Sequence, residues 1–328
     1  MSLPENTTEK SFAAHTFNGQ HLLIDNQAID TIVGLVPDNG SCTEIGPGNG
    51  ALTGPLLQKG VHVTGYEIDK RCEPALVALS GNGNLHMRWL SFLDVPPREI
   101  NDKDIIIGNI PFNISEPLIK KLANLTFTSA VLMFGRNFAD ALTAPSPSND
   151  RWSRMSLYGR GLFEITRVLE VPKTSFDPIP RVDATVLRLT RLDAMQRWRR
   201  DPVARSYRAL LDTDDSKGSV AQALKTIIVR PDGSAEARIA GRPVNRRAER
   251  RITNQGMRMM ASDWNAGYTP ERPRRETPGE EMFKLVRDTL DDRNESLLSK
   301  PLSGLTNDEV RIICSAITTV VNKRTKKR

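Results

Sequence analysis

Glu44-Ile45-Gly46-Pro47-Gly48-Asn49-Gly50-Ala51-Leu52-Thr53 follows a short strand candidate, residues 41–45, and leads into a helical pattern. Glycines at 46, 48 and 50 remove side chains where a strand turns into a helix, so backbone N–H groups can approach a ligand closely. The next strand candidate runs into Tyr66-Glu67-Ile68-Asp69, and Glu67 stands 21 positions after Gly46. In a doubly wound sheet an acid at that point accepts hydrogen bonds from ribose hydroxyls. A nicotinamide dinucleotide asks for Gly-x-Gly-x-x-Gly around its pyrophosphate. This loop reads Gly-x-Gly-x-Gly and is preceded by Glu44, whose charge disfavours pyrophosphate and suits a sulfonium with an amino-acid tail. S-adenosyl-L-methionine is the expected cofactor.

A second motif lies downstream, Gly108-Asn109-Ile110-Pro111-Phe112, directly after the apolar run 104–107. Asn-x-Pro-aromatic also occurs in ordinary loops, where the proline ends a strand and the aromatic packs beneath it. Its company argues for more: strand, glycine loop, helix, strand, acid, then a strand ending in this tip. Such a tip presents the Asn109 carboxamide and a neighbouring backbone carbonyl to a planar amine, with Phe112 against the ring. That is a site for an aminopurine.

With these blocks in place, residues 17–189 resemble the rRNA adenine N6-dimethyltransferases of the KsgA/Erm type. Five blocks carry the resemblance in the family's order: Gly19-Gln20-His21-Leu22-Leu23, the 44–53 loop, Tyr66-Glu67-Ile68-Asp69, Asn109-Ile110-Pro111-Phe112, and the stretch 171–183 that contains Ser175-Phe176-Asp177-Pro178-Ile179-Pro180. The resemblance implies that His21, where the family usually has Asn, and Leu23 close over the cofactor. It implies that Gly46 lies beneath the methionine part, with Gly48 in the same cradle, that Glu67 holds the ribose, and that Asn109 faces the reactive centre beside Pro111. Phe112 and Phe176 are then the two aromatics that hold a flipped adenine.

Two departures stand out. The family's Asp after the fourth strand bonds the cofactor's adenine amine, and Ser91 occupies that position here. A hydroxyl accepts one such bond without charge assistance, a loss of about 1 kcal/mol or somewhat more. Asp94 reaches in only if its loop shifts. The second is Phe134-Gly135-Arg136-Asn137, where the family tends to have a Gln-Lys-Glu-like stretch.

At 328 residues the chain can bury a sizeable core and is expected to form two domains. No apolar run approaches the roughly 18 residues of a membrane span, and the polar opening lacks signal-peptide features, so a cytoplasmic protein is expected. Cys42, Cys72 and Cys314 show no paired spacing, which indicates neither a disulfide framework nor a metal site. Residues 1–190 hold 17 Lys/Arg and 20 Asp/Glu, whereas residues 191–328 hold 29 and 19, so the whole net charge of +7 comes from the C-terminal part. Its Arg-rich clusters with interleaved aromatics, among them Arg197 to Arg200 around Trp198, suit phosphate contacts and base stacking.

Periodicity gives a first helix over 27–36, strands over 41–45, 61–67, 104–108, 130–134 and 162–169, and a last, antiparallel edge strand over 184–189. Alternating strands and helices predict an α/β, Rossmann-like methyltransferase sheet with helices on both faces, followed by a smaller, mostly helical domain. The predicted domains are a methyltransferase domain, residues 1–190, and a basic helical RNA-binding domain, residues 191–328. The latter has helices over 202–211, 219–229, 279–291 and 306–321, a partly ordered insert near 230–275 and a flexible tail near 322–328.

The expected function is transfer of methyl, twice at one nitrogen, to the exocyclic N6 of an adenine in ribosomal RNA or a pre-ribosomal particle, by a monomer. No His, Cys or Lys nucleophile is required. Ile110 and Phe112 lean toward the large-subunit, antibiotic-resistance group; Gly19 before Gln20 leans toward small-subunit enzymes. Two alternatives compete. One is a non-catalytic nucleic-acid-binding protein on this fold, like mitochondrial transcription factor B, favoured by Ser91. The other is a DNA adenine methyltransferase, which Ile110 and the block ending in Asp183 oppose.

Overall fold

In the computed structural model the described residues are 21–192, except 82 and 101–103, together with 207, 210, 219–229, 235–237 and 278–326. The chain divides into two compact units, residues 1–194 and 195–328. In the first unit the elements are β1 (Leu22–Leu23), α1 (Asn26–Val33), β2 (Ser41–Ile45), α2 (Thr53–Gln58), β3 (His62–Tyr66), α3 (Glu73–Leu79) and β4 (Leu85–Arg88). They continue with β5 (Ile105–Asn109), α4 (Ser115–Leu122), β6 (Ser129–Gly135), α5 (Arg136–Thr143), α6 (Arg154–Leu162), β7 (Phe163–Val171), β8 (Phe176–Asp177) and β9 (Ala184–Arg191).

Seven strands form one sheet in the order β4-β3-β2-β5-β6-β9-β7. The five from β4 to β6 are parallel, and β9 runs antiparallel to both β6 and β7. The central strands carry near-continuous apolar runs because helices cover both faces of a parallel sheet: β6 is buried at every residue and β5 at all but its last. The chain order reverses between β2 and β5, and the carboxyl ends of strands flanking such a switch leave a crevice. Packed beneath it are Ile32, Val33, Leu56, Val63, Ile107, Val131 and Val186.

The 184–189 segment forms an interior strand, contrary to the edge position its sequence pattern suggested. Five of the first six residues of β9 are buried, whereas β7 carries Glu164, Arg167 and Glu170 in its exposed pattern. Charges of this kind suit an edge, and β7 takes it. The first helix is shorter than its periodicity suggested. Asp25 caps it by accepting from the Gln27 and Ala28 N–H groups, and it ends at Gly34. A two-stranded antiparallel ribbon, β1 with β8, pairs Leu22 with Asp177 and Leu23 with Phe176, and the sequence pattern did not signal it.

In the second unit the described elements are α7 (Val220–Thr226), β10 (Ile227–Val229), β11 (Ala235–Ala237), α8 (Pro278–Arg287) and α9 (Asn307–Lys326). The helix expected over 219–229 ends at Thr226. The β-branched Ile227-Ile228-Val229 run instead pairs antiparallel with β11. Thr306 and Glu309 make a reciprocal capping box at the start of α9. All but 207 and 210 of the helix expected over 202–211, and most of 230–275, lie outside the described residues, as do Gly19, Gln20 and the Arg197 to Arg200 cluster.

Candidate active site

A cavity of about 510 Å³ opens at the carboxyl ends of β2, β3 and β5 and is closed on one side by β1. Its walls bring together His21, Leu23, Gly46, Gly48, Glu67, Ser91, Asn109, Pro111 and Phe112. Their sequence separation reaches 91 positions, and the switch in strand order is what gathers them.

The glycine loop wraps one wall. Gly46 has φ +68°, and a Cβ there would lie 3.9 Å from the Asn109 carbonyl oxygen, so the loop runs beside the tip of β5. Gly108 permits a still closer approach of β5 to β2, since a Cβ there would stand 2.5 Å from the Ile45 carbonyl oxygen. Glu67 is buried and locked: Oε1 accepts from the Ile68 and Asp69 N–H groups at 2.8 and 2.9 Å, and Oε2 from the Gly48 N–H at 3.1 Å. A carboxylate oxygen has two lone pairs, so Oε2 keeps one for a hydroxyl in the cavity.

Glu44, also on the wall, accepts from Thr53 Oγ1 at 2.7 Å. Burial pushes its carboxyl up to about 7, the Thr53 bond opposes the shift, and the Glu67 charge adds to it. Two acids lining one cavity make it attractive to a cation, and a bound cation stabilises both carboxylates.

At the tip of β5, Asn109 Nδ2 donates to the His21 carbonyl at 2.8 Å. A carbonyl can only accept, so this bond sets the amide orientation, and Asn109 Oδ1 receives no hydrogen bond from the described residues. The Pro111 carbonyl accepts from the Ile114 N–H at 3.1 Å, and the Ile110 carbonyl takes no hydrogen bond from the described residues. Phe112 is half-buried and lies on the end of β6: a Cβ at Gly135 would stand 3.3 Å from its ring. The departure at Gly135 is thus what gives the ring its seat.

Phe176 is not at the cavity. It is 1 % exposed and packs in the core, so its ring offers no open face to a base, contrary to the role the resemblance implied. The physical reason is its pairing with Leu23 in the β1–β8 ribbon, which turns the ring toward the sheet to cover apolar surface.

Ser91 caps the turn Phe92–Asp94 by accepting from the Leu93 N–H at 3.2 Å. Its oxygen keeps one lone pair and its O–H is available as a donor. Asp94 is exposed and does not line the cavity. Next to this end Ile68 is 55 % exposed, an apolar wall residue that the sequence motifs passed over. An aliphatic residue directly after the strand-ending acid was its available signal. Among the described residues no group of three or more His, Cys, Asp or Glu could hold a metal ion, and no helix is long and apolar enough to cross a membrane.

These walls fit S-adenosylmethionine. The volume suits a ligand of that size, the acids match its positive charge, Glu67 and Ser91 offer polar partners at separate points, and Ile68 with Leu79 and Phe92 provides apolar cover.

The family profile described as ribosomal RNA adenine dimethylase matches residues 11–201, more than half of the chain. The ribosomal RNA small subunit methyltransferase A of Mycoplasma mobile is 35% identical over 180 residues, which cover 53% of this chain and 70% of that one. The same-named protein of Bacillus licheniformis is 33% identical over 221 residues, covering 64% and 73%. A dimethyladenosine transferase from Plasmodium falciparum shares the fold, with TM-score 0.51 at 22% identity over 93% of this chain and 98% of that one. The glycine loop, the locked acid and the Asn-Ile-Pro-Phe tip all fall within the matched residues, and the chain belongs to the ribosomal RNA adenine dimethylase family.

Proposed function

We propose that this protein dimethylates the exocyclic N6 of an adenine in small-subunit ribosomal RNA, with S-adenosylmethionine as methyl donor. The observation that carries the reading is the amide of Asn109 on the cavity wall beside Phe112, tied through Nδ2 to the His21 carbonyl, with Oδ1 taking no hydrogen bond from the described residues. The small-subunit methyltransferases of Mycoplasma mobile and Bacillus licheniformis among its relatives favour the small subunit.

Bound S-adenosylmethionine supplies an electrophilic methyl group on a sulfonium. Glu67 and the Gly46 to Gly48 backbone would hold the ribose and methionine parts, and Ser91 with Ile68 would take the adenine end. The N6 amine of a target adenine is a poor nucleophile because its lone pair is delocalised into the ring. Asn109 Oδ1 and the Ile110 carbonyl accept its hydrogens, two before the first transfer and one before the second, drawing the nitrogen toward tetrahedral geometry with its lone pair aimed at the methyl group; each transfer releases one proton from the nitrogen to solvent. Positioning of this kind supplies most of the acceleration, with no covalent intermediate on the protein. Phe112 stacks on the extruded base and offsets part of the few kcal/mol that unstacking costs. The basic residues 191–328 supply sequence-independent affinity for the RNA or pre-ribosomal particle, and the chain acts as a cytoplasmic monomer. Ser91 in place of a carboxylate is what favours the non-catalytic alternative, and the tip speaks against it, since Asn109 Oδ1 takes no hydrogen bond from the described residues.

The test is incubation with labelled S-adenosylmethionine and, separately, naked small- and large-subunit rRNA, immature subunits and duplex DNA, followed by mapping of the modified base. Label in N6-dimethyladenine of small-subunit RNA is expected. Absence of both cofactor binding and transfer would sink the enzyme reading.

A further inference from the structure

With Phe176 in the core, the base-binding side of the cavity has lost one of the two aromatic faces assigned to it, and a second ring stands close to Phe112. The His21 and Phe112 ring centroids are 6.4 Å apart, the planes are inclined by 34°, and both residues line the cavity. Carbon atoms in contact lie about 3.5 Å apart, so a base held between two rings needs about 7 Å between them. The observed separation falls within the range of packed aromatic pairs and below what a sandwiched base needs, so the two rings must part to admit one.

The imidazole is also held in place. His21 Nδ1 lies 2.7 Å from the Pro178 carbonyl oxygen, and because a carbonyl only accepts, Nδ1 carries the hydrogen. The 171–183 block thus reaches the cavity through a backbone carbonyl that steadies His21, and not through the Phe176 ring. The backbone of the same residue holds the Asn109 amide, so the acceptor that orients the target amine and the ring beside the target base share one anchor.

We propose that the His21 imidazole is the second face of the base slot, opposite Phe112, and that it takes the role that buried Phe176 cannot fill. This rests on the adenine-methylating reading of the site. His21 is then a substrate-contacting residue, and its ring acts on the RNA side of the cavity.

The test compares wild type with His21→Ala, His21→Asn and His21→Phe. Methyl transfer to small-subunit rRNA is measured over a range of RNA concentrations, and the affinity for S-adenosylmethionine is measured by calorimetry without RNA. His21→Ala and His21→Asn should each lower kcat/KM for RNA about tenfold, the loss of one stacked face, while cofactor affinity changes less than about threefold. His21→Phe should recover most of that loss. Equal kcat/KM for wild type and His21→Ala overturns the proposal, as does a His21→Ala defect confined to cofactor affinity, or a failure of Phe to do better than Asn. If wild type itself transfers no methyl to any rRNA, the adenine-methylating reading fails instead, and the two failures are distinguishable.

Discussion

The side-chain amide of Asn109 donates to the main-chain carbonyl of His21 across 2.8 Å, joining two residues 88 positions apart. In the proposed mechanism that one bond sets which end of the amide faces the reacting amine, and its acceptor is the residue just before β1.

Replacing Asn109 by Ala removes the open Oδ1. Transfer to rRNA is expected to fall by about 10²-fold or more, the scale seen when a preorganised polar group at a reacting centre is deleted. Cofactor affinity by calorimetry should remain within a few-fold of wild type. An unchanged transfer rate would refute the assignment of the tip.

Ser91→Asp restores a carboxylate at the end of β4 without forfeiting the cap, because Asp also caps well. The Kd for S-adenosylmethionine should decrease about fivefold to tenfold, from one charge-assisted hydrogen bond in place of a neutral one. Weaker binding would mean that the loop places this side chain away from the cofactor's adenine.

Glu44 makes both stability and cofactor affinity depend on pH. Its carboxyl is raised by burial to about 7 in the folded chain, above the ordinary value of 4.5. Between these values the folded state binds more protons than the unfolded one, so this group's contribution falls as pH rises from about 4.5 to 7 and then levels off. A cationic ligand favours the charged carboxylate, so affinity for S-adenosylmethionine should rise from pH 6 to pH 8. In Glu44→Gln both trends should flatten, as melting curves and titrations across that range will show.

Gly135 has φ −59° and ψ 140°, a backbone that any residue adopts, so Gly135→Ala isolates a steric effect. The new methyl would meet the Phe112 ring at 3.3 Å and Val182 at 3.5 Å. Displacing that ring should raise KM for RNA several-fold, with little change in melting temperature. A large loss of stability with unaltered KM would place the contact in the fold and not in substrate binding.

Phe176→Ala should destabilise the chain by about 3–5 kcal/mol, the cost of truncating a buried aromatic, measured by denaturant unfolding. A variant as stable as wild type but defective in RNA turnover would return Phe176 to the base slot.

The glycine loop, the acid at Glu67 and the tip at Asn109 were legible in the sequence because each is local chemistry: backbone freedom, a strand end, a short polar turn. The family followed from their order, and the parallel sheet from the alternation of strand and helix patterns along the chain. The order of the last two strands and the fate of Phe176 were not legible in this way. Both depend on which faces are covered by segments distant in the chain, and an aromatic beside a proline loop reads the same whether it stacks on a base or on the core. The sequence by itself determined which chemical groups this protein has to offer and in what order along the chain. Only the tertiary structure decided which way they point, because the pairing of Leu23 with Phe176 and of Asn109 with His21 depends on contacts between residues more than eighty positions apart.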